Sequence, residues 1–171
     1  RRSMQTVIYK ILDTLLKLLS PLLPHTTSEA YSYVPNRNAD DIYLLDMPEV
    51  EDLDSELEET FDSFMDFRED VLKALEIARN EKVIGKSLNA HLIIYPKPRI
   101  ENLLNSIDIN LAQVFIVSKL EINKDGFGAY KGQDVSIDVL KASGHTCDRC
   151  WQIVDEVNED GICKRCEEVI E

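Results

Sequence analysis

Between Met4 and Leu23 the apolar residues Met4, Val7, Ile8, Ile11, Leu12, Leu15, Leu16, Leu18, Leu19, Leu22 and Leu23 recur at helical spacing. The polar residues fall mostly on the opposite face, so the pattern predicts a helix packed into a bundle, ended or bent by Pro21 and Pro24. Thr26 with Glu29 spells a capping box for a short helix that Pro35 stops. A polar stretch from Pro35 to Asp41 and the apolar run Ile42–Leu45 then cross the surface. Asp52 to Ser55 offer N-caps, Ser55 and Glu58 forming a second capping box. The stripe Leu57, Phe61, Phe64, Met65, Val71, Leu72, Leu75 and Ala78 carries a long helix to about Val83, with Gly85 as the stop. After Ser87 the period changes. Leu88–Tyr95 and Val114–Ile122 are β-branched and aromatic, and Val135, Ile137 and Val139 alternate with polar neighbours. Arg99–Ser106 between the first two runs is helical in pattern, which predicts a small β-α-β-β unit with Gly126, Gly128 and Gly132 in its hairpin connection. The fold class is α+β: a helical portion over 1–86, a small α/β module over 87–142, and a cysteine-bearing domain over 143–171.

Composition changes this picture in one respect. The 171 residues carry a net charge of −13, and residues 40–76 alone hold fifteen acidic side chains against two basic ones, which is the whole excess. That block reads as a solvated helix face and its leading loop, and it would repel a phosphate backbone, so any nucleic-acid contact falls elsewhere. No apolar run approaches the ~20 residues of a membrane span. The N-terminal residues lack a signal-peptide pattern, and position 1 is Arg rather than Met, which suggests a piece of a longer protein.

The chemistry lies in the four cysteines. Cys147-Asp148-Arg149-Cys150 and Cys163-Lys164-Arg165-Cys166 are two Cys-x2-Cys knuckles separated by twelve residues, the spacing of a tetrahedral thiolate site. Arg149, Lys164 and Arg165 would offset part of the charge of a zinc tetrathiolate, Gly161 lets the intervening loop turn back, and metal would supply the folding free energy of a segment with almost no core. Disulfides fit poorly without a secretory signal, and four thiolates leave no open position for catalysis. One structural Zn2+ is the reading, with His145 a neighbour rather than a ligand. Gly85-Lys86-Ser87 lacks the earlier glycine of a phosphate loop, since position 80 is Asn, and His25 and His91 have no triad partners. No catalytic residue is assigned. Trp151, the single tryptophan, is either a lid on the knuckle or the α/β module, or a platform for an unpaired base beside Arg149.

Three segments carry a family resemblance: Arg1–Val7, Ser20–Glu29 and Ala78–Leu88 look like the anticodon-binding helical domain of class I aminoacyl-tRNA synthetases. The knuckle pair with Cys150-Trp151 resembles the zinc domain that ends bacterial isoleucyl-tRNA synthetases. The resemblance covers essentially the whole chain and implies a C-terminal fragment of a cytoplasmic, monomeric isoleucine–tRNA ligase. Such a parent uses ATP and Mg2+ and edits mischarged valine, in domains that lie outside this chain. It further implies isoleucine tRNA, through its anticodon stem-loop, and the remainder of the synthetase as partners, with no membrane and no duplex DNA. Arg1 and Arg2 would meet phosphates, and Arg149 and Trp151 the anticodon loop. Two alternatives stay open: a zinc-knuckle duplex-DNA module like that of base-excision DNA glycosylases, and a zinc-stabilised protein-interaction domain.

Overall fold

The computed structural model describes residues 2–50 and 52–170, and the chain divides into two compact units between Leu53 and Asp54. In the first unit, helix α1 (Arg2–Leu19) is followed by α2 (Pro24–Ser32) and a 3-10 turn at Ile42–Leu44. The capping box at Thr26 does not form. Pro24 takes the first helical position, where its missing N–H costs nothing, and Thr27 inside the first turn hydrogen-bonds the Leu23 carbonyl at 2.9 Å. Ser28 Oγ donates to Asp41 Oδ2 at 2.7 Å, tying α2 to the 3-10 turn. The core here is small, with Leu16, Tyr31, Val34 and Ile42 buried. Of the long apolar stripe on α1 only Leu16 is buried, and Met4, Val7, Ile8, Ile11, Leu15 and Leu18 are exposed.

The second unit is built on α3 (Ser55–Asn80) and a four-stranded sheet. The cap of α3 is Asp54, whose carboxylate accepts the Leu57 N–H at 3.0 Å, one residue before the Ser55–Glu58 box. The stop is likewise earlier than Gly85. Lys82 adopts φ +63°, and the Val83 N–H turns back to the Ala78 carbonyl at 2.9 Å. Strands β1 (Ala90–Pro96), β2 (Lys119–Ile122), β3 (Tyr130–Lys131) and β4 (Val135–Lys141) lie in the order β2-β1-β4-β3. β1 runs parallel to β2 and antiparallel to β4, with Leu92 opposite Leu120 and Val139 respectively.

The parallel pair requires a crossover, supplied by α4 (Pro98–Ser106) and α5 (Leu111–Phe115). The expected strand over Val114–Ile122 therefore starts late: Val114 and Phe115 end helix α5 and the next three residues turn. Asn110 caps α5 by accepting the Gln113 N–H, Ile116 turns at φ +57°, and only Lys119 onward is strand. The gain is burial of Phe115, whose ring lies 6.3 Å from Phe64 and 5.7 Å from Phe67. Phe64, Phe67, Val71, Ala74, Leu75 and Ala78 of α3 cover the sheet face formed by Leu92, Ile94, Val135 and Ile137. The sequence pattern groups α3 with the two helices before it, yet its buried face goes to the sheet. A short hairpin, β5 (His145–Thr146) and β6 (Ile153–Val154), and a terminal helix α6 (Lys164–Ile170) complete this unit.

Candidate metal centre

The centre is assembled from two turns. The first knuckle lies between β5 and β6, where the Cys147 N–H donates to Gln152 O at 2.9 Å and the Trp151 N–H to Cys147 O at 2.8 Å. The second knuckle opens α6, with the Cys166 and Glu167 N–H groups both donating to Cys163 O. Between them the loop folds back through Gly161 at φ +73°, packed so closely that an added Cβ would fall 2.4 Å from Asp148 Oδ2. The Asp148 N–H donates to Gly161 O at 3.0 Å and joins the two turns.

Cys147, Cys150, Cys163 and Cys166 thereby bring their sulfurs within 4.8 Å of one another, and three of the four residues are buried. Cys150 Sγ and Cys163 Sγ are 3.8 Å apart. A tetrahedral ion with metal–sulfur bonds of about 2.3 Å needs sulfurs about 3.8 Å apart, so the donor set fits a four-coordinate metal. The Cys163 N–H points at Cys147 Sγ at 3.2 Å. Burial pushes the Cys147 thiol up, but the backbone N–H groups of Cys150, Cys163 and Arg149 outweigh it and bring the group down to about 6. Cys150 is pushed up to about 12, by burial first and by the neighbouring thiols, and burial raises Cys166 as well. One sulfur is thus prepared as a thiolate, and a bound cation would supply the field that deprotonates the others. The four cysteines are placed to bind a metal ion, and His145, exposed on β5, stands outside the cluster.

The structure also locates the other singled-out residues. Trp151 follows Cys150 with φ +61° and is 67% exposed. Arg149 is exposed too, and one guanidinium N–H donates to the Cys166 carbonyl at 3.2 Å, tying the head of the side chain to the second knuckle. Arg2 is exposed at the start of α1 in the other compact unit, and Arg1 lies outside the described residues. His25 is exposed on α2, and His91 Nε2 sits 3.0 Å from Glu121 Oε1 across the β1–β2 pair.

Two supporting residues went unread in the sequence. Asn158 accepts the N–H groups of Asp160 and Ile162 and donates to Glu167 Oε1 at 2.9 Å, holding the inter-knuckle loop on α6. The Asn-x-x-Gly turn formed with Gly161 was the available signal. Ser118 accepts the Ile153 N–H at 2.7 Å and so docks the hairpin on the sheet, a contact across 35 positions for which the sequence holds no local sign.

The family described as the anticodon-binding domain of tRNA ligase matches residues 1–94. Proteins named isoleucine–tRNA ligase from Bacillus cereus (strain AH187) and Bacillus anthracis (strain A0248) are each 42% identical over 180 residues, covering 99% of this chain. The chain spans 20% of the length of these curated relatives.

Proposed function

The chain belongs to the anticodon-binding domain family of tRNA ligases, and from that premise we propose that it is the C-terminal part of an isoleucine–tRNA ligase that positions isoleucine tRNA by its anticodon stem-loop. In this reading the catalytic and editing domains, with their ATP and Mg2+, belong to the rest of a cytoplasmic, monomeric synthetase. The functional segments are the helical part over 1–86, the α/β module over 87–142 and the zinc segment over 143–171. Among the described residues no helix is long and apolar enough to cross a membrane. Neither the duplex-DNA reading nor the protein-interaction reading draws support from any of these similarities.

Cys147, Cys150, Cys163 and Cys166 would hold one Zn2+, which suits four thiolates and tetrahedral geometry. When bound it supplies folding free energy and no reaction chemistry. The observation that carries the RNA reading is Trp151. A large apolar ring left 67% exposed by a turn of hydrogen-bonded backbone is a surface prepared for a flat partner, and an unstacked base is one. Arg149 beside it keeps N–H donors to spare for phosphate or base edges. Arg1 and Arg2 would meet the phosphates of the stem.

The test is a titration of the zinc-loaded chain with an isoleucine-anticodon stem-loop, a loop-swapped control and duplex DNA at two salt concentrations. Preference for the native loop that survives the higher salt is the expected result. Trp151→Ala should weaken that binding by about 1–3 kcal/mol while the zinc content stays at one per chain. Equal, salt-sensitive binding to all three ligands would remove base reading from this chain.

A further inference from the structure

A second surface combines aromatic and basic character. Where the start of α4 faces the connection from Lys124 to Lys131, a groove of about 670 Å³ opens beside the edge of the sheet. Its walls carry Lys97, Lys124 and Lys131 against one acid, Asp125. Glu101, just outside, is paired with Lys124, while Lys97 Nζ donates to the neutral Gln133 carbonyl and keeps its charge uncompensated by that contact. Asp70 lies against Gly132 at one end of the groove, so Lys97 and Lys131 are the placed cations of a wall that also carries acids.

Phe127 stands at the groove and is 88% exposed. Its exposure is built into the backbone. Gly126, at φ +132°, presses against Tyr95, and a Cβ there would fall 2.4 Å from the ring. Gly128 lies on β4, where a Cβ would fall 2.3 Å from the Ile137 nitrogen. The Gly128 N–H donates to Ser136 Oγ and the Ala129 N–H to Asp138 Oδ1. The chain on both sides of Phe127 is therefore clamped onto the sheet, leaving the ring outward on a fixed support. An apolar ring held in water has an energetic cost that a packed core would have removed.

We infer that this groove is a second RNA contact, which takes a single-stranded stretch of the tRNA with one base stacked on Phe127 and the adjoining phosphates on Lys97 and Lys131. Stacking on an exposed ring requires an unpaired base, because a duplex hides its base faces. Lysine ammonium groups supply a sequence-independent phosphate attraction. The inference rests on the tRNA reading above and extends it from the zinc segment to the α/β module.

The test uses the full zinc-loaded chain and an isoleucine tRNA transcript carrying 4-thiouridine for cross-linking. Phe127→Ala should weaken binding at least about fivefold. Lys97→Gln and Lys131→Gln should each flatten the slope of log affinity against log salt by about 0.7. Cross-linked peptides should include the 124–131 connection. Phe127 is too exposed for its truncation to threaten the fold, and circular dichroism with zinc content checks this. Unchanged affinity and slope in all three variants, with cross-links confined to the zinc segment, would overturn the groove and leave the anticodon reading standing. Loss in these variants with no effect of Trp151→Ala or of swapping the loop would keep the groove and sink the Trp151 assignment. Absence of tRNA binding by the unmodified chain would overturn both. Equal capture of an acidic peptide, lost in the same variants, would make the groove a protein site and overturn the RNA assignment.

Discussion

The Tyr130 phenol donates to Asp70 Oδ1 at 2.8 Å, joining the short edge strand to α3 across 60 positions of sequence. Burial first, and then the hydrogen bond and charge of Asp70, push the phenol up to about 12. A tyrosine in the unfolded chain titrates near 10, so the neutral phenol is favoured by folding. Its contribution is complete below pH ~10 and disappears as pH rises through about 12. A phenolate absorbance step at about pH 12 should therefore belong to Tyr130, and Tyr130→Phe should abolish it while costing about 1 kcal/mol of stability. A titration above pH ~10 that Tyr130→Phe leaves unchanged would contradict the contact. At this scale the sequence was legible where chemistry is local. The Cys-x2-Cys spacing brought four sulfurs together because each knuckle needs only its own turn. Tyr130 with Asp70, and Ser118 with the Ile153 N–H, unite residues whose proximity depends on the whole fold. The two capping boxes failed for another reason, although Asp54 is among the N-caps that Asp52 to Ser55 offer. Thr26-Glu29 and Ser55-Glu58 are good local patterns, and Pro24 and Asp54 are stronger competitors one or two residues earlier.

Helices α1 and α3 separate pattern from burial. Both carry the apolar stripe of a bundle helix, but the α1 stripe is almost wholly exposed, whereas α3 hides one face on the sheet and leaves Leu57, Phe61, Met65 and Leu72 exposed. Periodicity predicts that a helix has an apolar face, not which partner covers it, so the stripe of α3 suits a bundle and a sheet equally well. Neighbouring positions should consequently differ sharply in cost. Leu16→Ala removes a core side chain and should destabilise the first unit by about 2–3 kcal/mol, while Leu15→Ala should change it by under about 0.5 kcal/mol. In the second unit Phe115→Ala opens a hole between Phe64 and Phe67 and should cost about 3–4 kcal/mol. Denaturant midpoints for the three variants check the order, and equal losses at Leu15 and Leu16 would contradict the burial described for α1. The strand expected at Val114 erred in a related way. β-branched residues favoured extension, but helix α5 buries Phe115 and supplies the crossover that a parallel β1–β2 pair requires.

Across the whole molecule, charge and RNA recognition pull in opposite directions. The excess of acid in residues 40–76 sets a negative field over a chain whose proposed RNA contacts are a few placed groups, Arg149 and Trp151 on the knuckle and the lysines of the groove. Such a field disfavours phosphate binding that has no specific contact to offset it. Screening limits its reach to about 8–10 Å at ordinary ionic strength, so the effect belongs to low salt. Replacing Glu56, Glu58 and Glu59 on the exposed first turns of α3 with Gln should raise affinity for any RNA about two- to fivefold at low salt and leave it unchanged at high salt. The ratio between native and swapped anticodon loops should then fall at low salt, because a general attraction has been added equally to both. Titrations of the triple variant at two salt concentrations measure both quantities. A gain for the native loop alone would mean that these carboxylates touch the RNA path directly and do not act through a general repulsion.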